Sequence, residues 1–107
     1  MDFSFQRSIL KGMLMTKDDE ATKDFPTDWE IIIPLIKSDD YKERSKGEVY
    51  EVNRRTLALE KVLEDSARGK LGFKLDSGEP ILAKQLSAMV EYRNYLLLRA
   101  QLENIEL

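Results

Sequence analysis

The stretch from Ser45 to Gly69, SKGEVYEVNRRTLALEKVLEDSARG, constrains the fold of this chain more than any other, because it carries a helix start, a sustained period and a stop. Ser45 followed by Glu48 has the spacing of a capping box, in which a hydroxyl and a carboxylate each satisfy a backbone N–H left over in the first turn. Val49, Val52, Thr56, Leu59 and Leu63 then recur at steps of three and four, which puts them on one stripe. Gly69 stands where a left-handed C-terminal cap is wanted. The expectation is a helix over about 46–68.

A second long helix is expected over about 80–104. Pro80 suits a first helical position, with Ser77 or Glu79 before it, and Leu82, Leu86, Met89, Val90, Leu96, Leu97 and Ala100 follow on a broad apolar stripe. Two helices of similar length joined by about ten residues make an antiparallel hairpin. Upstream, Phe5, Ile9 and Met13 step by four and predict a short N-terminal helix over 3–15, followed by an acidic loop that ends at Phe25-Pro26. The segment TDWEIIIPLIKSDDY admits two readings. Thr27 and Glu30 repeat the capping-box spacing and favour a second helix from Asp28, kinked by Pro34. The competing reading is a strand from 29–33 paired with 71–75, a minor two-stranded feature. The fold class is therefore all-α: one domain over 1–107, a small helical bundle built on a long hairpin.

Composition narrows the chemistry. There is no histidine and no cysteine among the 107 residues. That removes the commonest general base, the thiolate nucleophile, and the usual ligands of zinc and iron–sulfur sites. Neither Gly69 nor Gly72 fits a phosphate-binding or dinucleotide fingerprint. No catalytic residue, metal site or cofactor is expected, and the chain reads as non-enzymatic. Its formal net charge is −3, the wrong sign for a general binder of nucleic acid or of anionic membrane. No membrane span and no secretory signal is visible, which reads as cytoplasmic.

Charge is nevertheless uneven. Residues 17–30 hold six acids against two lysines, whereas residues 42–74 hold nine basic residues against six acids. The acidic run Asp18, Asp19, Glu20 and Asp24 is read first as a solvated loop. Its functional alternative is a surface that docks on a basic partner or mimics nucleic-acid phosphates. Arg54, Arg55 and Lys61 are the candidates for phosphate binding, set against the simpler reading that Glu51–Arg55, Lys61–Asp65 and Glu64–Arg68 are i,i+4 pairs on a solvated face.

Arg93 interrupts the apolar stripe of the last helix and needs a partner. The first reading pairs it with Glu60 or Glu64 across the hairpin. The second makes it an anchor at an interface, with Tyr92, Tyr95 and Trp29 as the aromatic residues that accompany such anchors. Long apolar stripes on a small chain favour a protein-interaction module: a regulator, adaptor or inhibitor that binds a larger protein through helical surfaces, with homodimerisation through the hairpin as an extension. Nucleic-acid binding by the basic strip is the alternative.

The order FQRSILKGMLM, WEIIIPLIKSDDY and RSKGEVYEVNRR is somewhat similar to the helical N-terminal domain of bacterial and phage replicative helicases, across roughly the first half of the chain. Pro34 departs from the uninterrupted helix of that family. The resemblance implies that replication factors belong among the partners to consider.

Overall fold

A computed structural model of the chain describes residues 22–107, and among these there are three principal helices and no strand. We number them α1 (Trp29–Ile36), α2 (Tyr41–Ala67) and α3 (Glu79–Leu102). The N-terminal helix expected over 3–15 lies outside the described residues.

Helix α2 begins five residues earlier than the Ser45–Glu48 spacing suggests. Asp40 is the cap: its backbone is extended, and its carboxylate accepts from Lys42 N–H at 3.1 Å. Ser38 fixes the approach, its hydroxyl accepting from Asp40 N–H at 3.0 Å. A charged cap supported by a second side chain outcompetes Ser45, which is left in the second turn. The helix runs for 27 residues, about 40 Å. It stops as expected: Gly69 has φ +68°, its N–H donates to Ser66 O, and Lys70 N–H donates to Asp65 O at 2.8 Å. Those two bonds are the paired closure of a left-handed C-terminal cap.

Helix α3 ends by the same device with a different residue. Asn104 adopts φ +56°, its N–H donating to Gln101 O and that of Ile105 to Ala100 O. Ile105 folds back beside Ala100, and both are buried. At the other end the cap is Gly78, and Glu79 precedes Pro80 as the first helical residue.

The 29–33 segment is helical, so the strand pairing with 71–75 does not form. Asp28, not Thr27, caps α1, accepting from Glu30 N–H at 2.9 Å. Pro34 falls in the last turn, where it withdraws one N–H from the ladder, and the chain leaves the helix three residues later. A strand here would set Ile32 on one face and Ile31 and Ile33 on the other. As a helix, α1 sinks Ile32 completely into the core.

Cross-helix contacts establish the topology. Tyr41 bonds Glu103, Glu48 bonds Tyr92, Asn53 bonds Arg93, and Ser66 bonds Glu79. The start of α2 meets the end of α3 and the end of α2 meets its start, with Tyr92 and Arg93 opposite the middle, so the two helices are antiparallel. Helix α1 also runs antiparallel to α2, with Ile36 against Gly47 and Trp29 against Arg54. The core sits where the three meet. Ile32, Val49, Tyr50 and Leu96 are buried there, with Phe25, Trp29, Leu35, Val52, Leu97 and Leu107 packed round them. The Phe25 ring meets Tyr50 in a tilted contact at 5.2 Å.

Candidate protein-binding site

On α2, the stripe that sequence periodicity treats as one surface divides in two. Val49, Asn53 and Thr56 point into the bundle and are 0–2% exposed. Val52, Leu59 and Val62 lie one step round the helix and line an open groove of about 690 Å³ between α2 and α3. Ala58 adds to this wall, and α3 supplies Gln85, Met89 and Tyr92. The floor is apolar. Its rim carries Glu48, Glu51, Arg54 and Arg55.

Each rim group on α2 is held by the protein itself. Arg55 pairs with Glu51 at 3.0 Å. The Arg54 guanidinium lies over the Trp29 ring, 4.4 Å from its centroid, and Nε donates to Thr27 O at 3.1 Å. Tyr92 closes one end of the groove by donating its hydroxyl to Glu48. That carboxylate holds the Tyr92 phenol above its ordinary pKa, because ionising the phenol would both lose the hydrogen bond and set two negative charges together; partial burial adds to the effect. A rim whose charges are already paired can face an apolar ligand with little further desolvation.

Behind the groove, the hairpin interior is polar. Arg93 is 6% exposed, and its Nη1 donates to Asn53 Oδ1 at 3.1 Å. Asn94, next in sequence, and Ser87, six residues earlier, are also buried, and Thr56 returns its hydroxyl to Val52 O at 2.7 Å. Among the described residues, Asn53 Nδ2 and Asn94 Oδ1 have no hydrogen-bond partner.

At the far end of the hairpin, Tyr41, Arg99 and Glu103 form a surface triad. Tyr41 Oη donates to Glu103 at 2.5 Å and accepts from Arg99 at 3.0 Å, and Arg99 Nε meets Glu103 at 3.4 Å. Donation from Tyr41 holds the Glu103 carboxyl below the ordinary range, with Arg99 and Lys42 contributing; the Arg99 guanidinium is correspondingly held above its own.

The structure separates the residues that sequence reasoning grouped as partner-binding. Tyr92 borders the groove and Trp29 sits under Arg54, packed on the core. Arg93 faces inward. Tyr95 is 59% exposed on the outer side of α3, away from the groove. Of the basic strip, Arg54 and Arg55 share the rim, while Lys61 pairs with Asp65 at 2.9 Å on the solvated side. Asp24 is exposed in the turn before α1, and Asp18, Asp19 and Glu20 lie outside the described residues. Val62 and Gln85 were not singled out from the sequence. Val62 follows Val52 and Leu59 at helical spacing and was findable; Gln85 carries no such signal. No group of three or more metal-ligating side chains gathers among the described residues, and no described helix is long and apolar enough to cross a membrane.

Against this geometry, one family matches. A family described as Sequestin covers residues 39–102, more than half of the chain and the whole of the α2–α3 hairpin. No curated protein and no solved structure matches the chain. The likeness to replicative helicases has no counterpart among these matches.

Proposed function

Since the chain belongs to the Sequestin family, we propose that it works by sequestration, holding a partner protein on the surface of the α2–α3 hairpin without catalysing a reaction. The observation that carries this reading is the groove: an apolar floor of Val52, Leu59, Val62 and Met89 inside the segment the family shares. Its shape and lining suit an amphipathic helix of the partner, which would bury two or three apolar side chains on the floor while its polar face meets the rim. Small size, absent catalytic residue types and paired rim charges agree with a binding role. The regulatory effect is then simple occupancy, which makes the protein an inhibitor of whatever its partner would otherwise contact.

The test is capture from nuclease-treated source-cell lysate with the tagged protein at two salt concentrations, repeated with V62E and M89E. Both positions are half-buried at the groove wall, so each variant is first checked for unchanged helical circular dichroism. A protein retained by the parent at both salts and lost by both variants supports the proposal. Retention by folded V62E and M89E would overturn the site. Binding abolished by nuclease, or falling steeply with salt, would transfer the function to nucleic acid and to Arg54, Arg55 and Lys61.

A further inference from the structure

Helix α3 carries two seven-residue periods on nearly opposite faces. Leu86, Arg93 and Ala100 are seven apart, buried, and face α2. Ile81, Ala88, Tyr95 and Leu102 are also seven apart, and all four are exposed, at 54% for Ile81, 59% for Tyr95 and 81% for Leu102. Lys84, Glu91 and Leu98 follow the first three by three residues each and are exposed on the same stripe. Positions that repeat at three and four over three heptads are those with which one helix packs along another. Among the described residues neither α1 nor α2 covers this stripe, whose side chains all stand exposed.

We propose that a second copy of this chain covers the part of this stripe from Ile81 to Tyr95, with the two α3 helices antiparallel about a two-fold axis near Ala88. Charge selects the occupant and its direction. Lys84 and Glu91 lie either side of Ala88, opposite in sign, and among the described residues neither makes a hydrogen bond or an ion pair. An antiparallel second copy brings Lys84 beside Glu91 of that copy, and the symmetry makes the pair twice. A parallel copy would set lysine on lysine and glutamate on glutamate. Ala88 at the crossing lets the helices approach closely, and Ile81 then lies beside Tyr95 of the second copy. The groove opens to one side of the stripe, with Tyr92 at the border, so the pair presents two grooves and gains avidity toward a partner that offers two binding segments.

Sedimentation equilibrium of the full chain, with helical content followed by circular dichroism, tests this independently of any partner. The expected result is a concentration-dependent dimer. Replacing both Ile81 and Tyr95 by glutamate gives a folded monomer. K84E alone and E91K alone each weaken the dimer about five- to tenfold, because two attractive contacts become repulsive. K84E combined with E91K restores it to within about threefold, the order expected when only exposed pairs are exchanged. A folded wild-type monomer at millimolar concentration overturns the proposal, as does a dimer that survives the Ile81 and Tyr95 changes. Single reversals without effect would overturn the antiparallel arrangement. None of these readings depends on the groove, so dimer and sequestration can fail separately.

Discussion

Arg93 Nη1 donates to Asn53 Oδ1 across the hairpin at 3.1 Å, and both residues are at least 94% buried. A cation inside a small helical protein is tolerable only where oxygen atoms meet it, and Asn53 supplies one from the facing helix. The pair also marks the register of α2 against α3, because a slide of one helical turn would separate them.

Removing Asn53 therefore costs more than removing an exposed asparagine. N53A is expected to lower stability by about 1.5–3 kcal/mol, the range for a hydrogen bond to a charged group. Urea unfolding of N53A, R93M and the double variant measures the coupling. Strictly additive losses would show that the two side chains do not act together.

Gly47 is the point of closest approach between α1 and α2. A Cβ added there would lie 2.9 Å from Ile36 N and 3.0 Å from Leu35 Cβ, and backbone cannot swing aside as a side-chain tip can. G47A gains about 1 kcal/mol of helix propensity, yet is expected to be destabilising by about 1–2 kcal/mol net once α1 is pushed off. Denaturant midpoints decide the sign. A stabilised G47A would mean that α1 moves outward at little cost.

Tyr92 is expected to ionise late in an alkaline titration followed by ultraviolet absorbance. Its folded pKa is raised, first by the hydrogen bond to Glu48, so its contribution to stability is full below the ordinary tyrosine range and is lost as pH rises through the folded value. Tyr50 is also raised, by burial. Y92F removes one late-titrating phenol, and E48Q brings Tyr92 back toward its ordinary value. An unchanged titration in E48Q would rule out the bond as the cause.

Glu103 has the opposite sign. Its carboxyl is lowered, first by Tyr41, so its contribution is present above the ordinary carboxylate range and disappears as pH falls through the folded value. Y41F should raise that value toward normal in a carboxyl titration by nuclear magnetic resonance. The effect on overall stability is small, since the triad is solvent-exposed and readily screened.

Much of the architecture was legible in the residues alone. Periodicity located both long helices and their antiparallel connection, Gly69 marked the end of α2, and the i,i+4 spacing of Glu51–Arg55 and Lys61–Asp65 became ion pairs. These are local properties: which side chains share a face, and which residue tolerates a left-handed turn, depend on a few neighbours in sequence. The start of α2 was misplaced because two capping signals compete, at Asp40 and at Ser45. Which one wins depends on Ser38 folding back to hold Asp40.

Tertiary structure decided everything that needs a second helix to define it. Three isoleucines suit a strand or a helix equally, and only the fit of Ile32 beneath α2 settles the matter. Spacing alone does not divide Val49 from Val52, or Arg93 from Tyr95, because neighbouring positions on a stripe differ by a fraction of a turn. Once α1 and α3 are seated on α2, that fraction decides which side chain is core, which lines the groove, and which is left on the outer face of α3.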